Sequence, residues 1–143
     1  LCHALNLGLV EAASVSTDKY PVKRELQQIK DCMMYWKRRP TKLRNACAGC
    51  GIKMKKIPAD CVTRWYSSYQ MYTYFLDNET NFRQLHRFEH DPENGFDVSQ
   101  ASPIISDTAG KIAEIVVEVM RPFIQLISLA EAERCPTTVC GIH

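Results

Sequence analysis

Apolar residues return every three or four positions through most of this chain, the period of helices with one buried face. Over residues 20–36, Val22, Leu26, Ile29, Cys32 or Met33, and Trp36 fall on one side. Pro21 suits a first helical turn, Pro40 ends the segment, and Thr41 is placed to cap the next one. A second helix is predicted over residues 42–57, with Leu43, Ala46, Cys47, Cys50, Met54 and Ile57 inward. Gly49 and Gly51 weaken it and Pro58 stops it. Asp60 starts a third, through Leu76, carrying Val62, Trp65 or Tyr66, Tyr69 and Tyr72. A short fourth is expected over residues 81–90 around Phe82, Leu85 and Phe88. A turn at Asp91-Pro92-Glu93-Asn94-Gly95 then opens a loop to about Ser106.

The last helix, residues 107–134, is the longest. Ile112, Ile115, Val116, Val119, Met120, Phe123, Ile124, Leu126, Ile127 and Ala130 cover more than half its circumference. A helix with so wide an apolar arc is expected at the centre, surrounded by the others, with a kink at Pro122. The pattern predicts one all-α domain over residues 1–143. It is a bundle of four main helices plus a short one, preceded by an irregular or briefly helical segment over residues 1–18. No apolar run approaches the roughly 18–20 residues of a membrane span.

Seven cysteines change the picture most: Cys2, Cys32, Cys47, Cys50, Cys61, Cys135 and Cys140. That number, without a clean metal-ligand pattern, points to an oxidising compartment and a secreted, disulfide-stapled bundle. Cys32 and Cys47 lie equally far from the turn near Pro40, and Cys50 and Cys61 are similarly placed about the 56–60 connection. Each pair is therefore a candidate bridge. Cys135 and Cys140 pair with each other, or one of them reaches Cys2. The odd thiol is buried and free, or links two chains as a dimer. Asn78-Glu79-Thr80 is an N-glycosylation acceptor.

The formal net charge of +2 conceals an asymmetry. Residues 1–65 hold 13 Lys/Arg against 5 Asp/Glu, and residues 66–143 hold 5 against 11. Lys37, Arg38, Arg39, Lys42 and Arg44 gather around the first turn, and Lys53, Lys55 and Lys56 end the second predicted helix. These eight are candidate contacts for an extracellular protein or a sulfated polyanion. Nucleic acid is not expected, since no recognised binding module is present. In residues 65–75 six of eleven positions are aromatic, more than one helix face can bury. Tyr66, Tyr74 and Phe75 are the candidates left outside for a partner.

Two patterns resemble chemistry. Cys47-Ala48-Gly49-Cys50 has redox spacing, but it sits within a helix rather than after a strand, so two separate structural bridges fit it better than catalysis. Zinc held jointly with Cys135 and Cys140 needs looser spacing than usual. His86-Arg87-Phe88-Glu89-His90 has the H-x-x-E-H form of a zinc hydrolase, with His86 and His90 as ligands and Glu89 activating water. It adjoins the Asp91-Pro92 turn in a chain with little room for a cleft, so a charged helix end is the stronger reading. No cofactor is implied.

The plan is similar to that of helical cytokines and of small salivary effectors that inhibit host defence proteins, a likeness of architecture. The expectation is a non-enzymatic secreted binding protein. Carriage of a small hydrophobic ligand inside the bundle is the alternative, and zinc hydrolysis at His86, Glu89 and His90 a remote one.

Overall fold

The computed structural model describes residues 22–58 and 65–134. The expectations for residues 1–18, for the Asp60 cap, and for Cys2, Cys61, Cys135 and Cys140 lie outside the described residues. The fold is all-α. Its helices are α1 (Val22–Lys37), α2 (Pro40–Cys50), α3 (Trp65–Asp77), α4 (Glu79–His90) and α5 (Asp107–Arg134). Two 3-10 turns, Pro92–Asn94 and Val98–Gln100, interrupt the loop before α5. No strand occurs among the described residues, and no helix there is long and apolar enough to cross a membrane.

α1 follows its pattern closely, with Leu26, Ile29, Cys32, Met33 and Trp36 all buried. It touches α2, α3 and α5. α2 starts at Pro40 rather than Lys42, because a proline's fixed φ and missing N–H suit the first helical position. Thr41 therefore lies inside the helix instead of capping it. α2 also ends seven residues earlier than the periodicity predicts. Gly51 adopts φ 69°, and the Gly51 and Ile52 amides donate back to the Ala48 and Cys47 carbonyls. That left-handed reversal ends a helix and favours glycine. Residues 52–58 continue as a strap outside any helix. The Tyr74 hydroxyl fastens it to α3 by donating to the Lys55 carbonyl at 2.6 Å.

Gly49 has a packing role that its helix-weakening character hides. A Cβ there would lie 2.5 Å from Phe88 Cζ on α4. Alanine normally stabilises a helix interior by roughly 1 kcal/mol over glycine. Here Gly49→Ala is expected to lose about 1 kcal/mol net, because Phe88 must shift away from its neighbour Phe96. Urea unfolding of the two proteins checks the sign.

α5 is long, about 42 Å at 1.5 Å per residue, and runs through Pro122 as one helix. Among the described residues it is not surrounded, contrary to its expected place at the centre. It packs mainly on α1 and α3, through a stripe that includes Ala109, Ala113, Val117, Met120 and Ile124. A second stripe, Ile115, Val119, Leu126 and Leu129, faces outward at 51–66% exposure. The wide apolar arc is two helical seams side by side, and only one is used among the described residues.

The three described cysteines, Cys32, Cys47 and Cys50, are free thiols, so the expected Cys32–Cys47 bridge is absent. Equal distance from a turn sets the level of two residues on a helical hairpin, not the direction each faces. Cys32 faces a small cleft beside Phe82 and His86 of α4, whereas Cys47 faces a separate groove beside Leu43 and Ile52. Burial pushes the Cys32 thiol up to about 12.

Candidate functional site

The basic residues near the first turn meet around a groove. Its walls are the end of α1, one face of α2 and the strap 52–57. α2 supplies Pro40, Leu43, Arg44, Cys47 and Ala48, spaced so that they share one side of the helix. After Gly51 the period changes from helical to two over residues 52–55. Ile52 and Met54 turn inward, and Lys53 and Lys55 turn out. That alternation is visible in the sequence as Ile-Lys-Met-Lys, but Ile52, Met54 and Ile57 also satisfy a helical pattern.

The groove encloses about 640 Å³. Trp36, Leu43, Ile52, Met54 and Ile57 give it an apolar floor, and Lys37, Arg44, Lys53, Lys55 and Lys56 form its rim. No acidic residue lines it among the described residues, and none of the five cations forms an ion pair with another described residue. Clustered like charges facing a low-dielectric wall focus a positive potential into the opening. Trp36 also carries the one buried side-chain polar atom without a hydrogen-bond partner among the described residues, its Nε1.

The structure thus joins five of the eight basic residues singled out in the sequence and separates the other three. Arg38 is exposed at the turn beside the groove. Arg39 lies over the Tyr35 ring, 4.1 Å from its centroid. Lys42 is not a surface contact at all. It sits on the opposite side of α2, together with Ala46 and Gly49, and its Nζ is 2.9 Å from Glu89 Oε2. The aromatic residues also divide. Tyr66 is exposed as expected. Tyr74 is half-buried and committed to the strap, and Phe75 is core, stacked on Phe82 at 5.9 Å. An exposed Phe75 would have required α3 to leave its inner face empty. Asn78 is half-buried between α3 and α4, and its Nδ2 donates to the Tyr74 carbonyl at 2.9 Å.

Glu89 is the residue whose role the sequence pattern disguised. It extends the buried stripe Phe82, Leu85, Glu89 and is fully inaccessible. Lys42, the Ser102 amide and hydroxyl, and the Tyr35 hydroxyl surround its carboxylate. Tyr35 Oη lies 2.6 Å from both Glu89 Oε2 and the Gln100 carbonyl, so its single proton serves one at a time. Burial alone would raise the Glu89 pKa. The hydrogen bonds from Ser102, Tyr35 and Lys42 outweigh it and hold the group below its usual 4.5.

This arrangement bears directly on the H-x-x-E-H pattern. Glu89 is fully buried and accepts from Lys42 and from the Ser102 amide and hydroxyl, with the Tyr35 hydroxyl beside it. The His86 and His90 rings lie 4.0 Å apart between centroids, tilted by 44°, and His90 Nδ1 is 2.8 Å from the His86 carbonyl. Burial and the adjacent His90 lower the His86 pKa. Among the described residues no group of three His, Cys, Asp or Glu side chains is placed to hold a metal ion. The Cys47 and Cys50 thiols are both pushed up by burial, the opposite of what an activated thiolate requires.

Set against known proteins, the chain matches no family model, no curated protein and no solved structure.

Proposed function

We propose that this is a non-enzymatic binding protein that engages an acidic extracellular partner, a protein or a sulfated polyanion, through the groove of α1, α2 and the strap. One observation carries the reading: five cations ring an apolar floor with no carboxylate among the described lining residues. Unneutralised charge of one sign around a concavity favours a partner of the opposite sign and speeds its approach. The extracellular setting rests on the seven cysteines and the Asn78 sequon alone.

The test compares two double reversals of equal net charge. Arg44→Glu with Lys53→Glu strikes the groove, and Lys23→Glu with Lys111→Glu strikes exposed positions elsewhere. Retention on immobilised heparin is expected to fall to clearly lower salt only for the groove pair, with thermal midpoints unchanged. Elution of both at the same salt would make the rim an ordinary solvated surface.

Carriage of a small apolar ligand is a second reading. It draws on the same floor, since 640 Å³ is a usual ligand volume. It would place the ligand in the groove rather than between the helices, where Ile29, Met33, Met71 and Phe75 pack with no exposure. Displacement of a fluorescent fatty acid by unlabelled fatty acid measures it.

A further inference from the structure

We propose that the occupant of the groove is an extended acidic peptide segment of a protein partner, added as a strand along residues 52–55, its alternate apolar side chains resting on the floor. This deepens the reading above and rests on it.

Three features select a peptide over a glycan. The first is the floor. Leu43, Ile52 and Met54 are only half-buried, and a sulfated sugar, with a hydroxyl or sulfate on most ring carbons, covers such a floor less completely than an aliphatic side chain. An aliphatic or aromatic side chain does, and the volume accommodates one with room beside it. The second is the strap's backbone. Among the described residues, the amides of Lys53, Met54, Lys55 and Lys56 have no hydrogen-bond partner, and Tyr74 holds the strap in place through the Lys55 carbonyl. An anchored, non-helical segment whose amides are unpaired among the described residues is a template for strand addition.

The third is register. Ile52 and Met54 face the floor while Lys53 and Lys55 face out. A peptide alternating apolar and acidic residues matches both rows at once: its apolar side chains join Ile52 and Met54, and its carboxylates meet Lys53 and Lys55. Opposite charges directly across two strands are favourable neighbours. Arg44 and Lys37 on the helical wall meet carboxylates at the far edge. A block of acids followed by a block of apolar residues cannot satisfy this geometry, because neighbouring strand positions point to opposite faces.

The experiment uses the full chain and a short fluorescein-labelled peptide alternating Glu with Leu. Controls are the same peptide with Gly for Leu, a blocked arrangement of the same composition, a heparin oligosaccharide and a fatty acid. Fluorescence anisotropy at low salt gives affinities, and amide hydrogen exchange reports residues 53–56. The alternating peptide is expected to bind at least about tenfold tighter than the Gly control, the scale of burying one leucine side chain. Met54→Gln, half-buried and uncharged, is expected to remove most of that advantage while leaving heparin retention unchanged. Amides 53–56 are expected to become protected with the alternating peptide.

Equal affinity for the alternating, blocked and Gly peptides, with Met54→Gln silent, overturns the strand-addition inference and leaves an anion-binding groove. Fatty acid binding without peptide binding overturns it in favour of the carrier reading. Failure of every anionic probe, with Arg44→Glu and Lys53→Glu silent, overturns both the inference and the proposed function.

Discussion

Glu89→Ala is expected to lose about 3–5 kcal/mol of stability, by urea or thermal unfolding at neutral pH, although an isolated glance at H-x-x-E-H would place Glu89 on the surface. The loss comes from the donors left behind. Lys42 is only 22% exposed and the Ser102 backbone is buried, so neither recovers full hydration when the carboxylate is gone. Glu89→Gln keeps the shape and one accepting oxygen, but it turns an N–H₂ group toward donors, so a smaller loss, near 2 kcal/mol, is expected. The pH dependence gives an independent check. Glu89 has a lower pKa folded than unfolded, so its contribution is fully present above the unfolded value. It is lost as pH falls through the folded value. The stability gap between wild type and Glu89→Gln should therefore be constant near neutrality and shrink as pH drops below about 4.5. A gap independent of pH down to acid unfolding would show that the carboxylate is not held as described.

The same contacts explain how the groove is built. α2 has two working sides. Lys42, Ala46 and Gly49 are fixed against α4 by Glu89 and by the close approach of Phe88. Leu43, Arg44, Cys47 and Ala48 remain as the groove wall. The loop from α4 to α5 is held by the same carboxylate through Ser102, by Arg83 through the Ile105 and Ser106 carbonyls, and by Glu25 through the Ser106 hydroxyl. Polar groups pin this side of the bundle, and a rigid wall lowers the ordering a partner must impose.

How much of this is legible in the sequence depends on whether one pattern has one solution. α1, α4 and α5 were readable as helices because an apolar period of three to four bounded by proline and turn residues favours a helix over a strand. The end of α2 was not, since Ile52, Met54 and Ile57 fit both a helix and a strap. The decisive fact, the positive φ of Gly51, is a backbone property. The basic residues of the groove could be named from charge, yet charge alone did not distinguish Arg44 from Lys42, two positions apart and on different sides of α2. Glu89 carried a usable signal: it continues the Phe82 and Leu85 stripe, and an acid on a buried stripe needs partners. The Cys32–Cys47 expectation failed because level along a hairpin is visible in spacing while facing is not. The centrality of α5 failed because a broad apolar arc can mean one surrounded helix or two seams with one left open.

Phe75→Ala is expected to destabilise the protein by about 4 kcal/mol, whereas Tyr66→Ala should change stability by no more than about 0.5 kcal/mol. The two residues belong to one aromatic run on α3, and composition gives no reason to separate them. Burial does. Phe75 is wholly inaccessible and stacks on Phe82 with ring planes 21° apart, while Tyr66 is 50% exposed. Truncating Phe75 removes its transfer free energy and leaves a void beside Phe82 at the junction of α3 and α4, which share only Asn78 as a link. That short link keeps the helices from closing the void by sliding. In a chain of this length a 4 kcal/mol loss should lower the thermal midpoint by roughly 10 °C. Circular dichroism melts of the two variants decide the matter. A Phe75→Ala midpoint within a degree or two of wild type would mean that this ring is not in the core, and the aromatic face of α3 would again be a candidate surface for a partner.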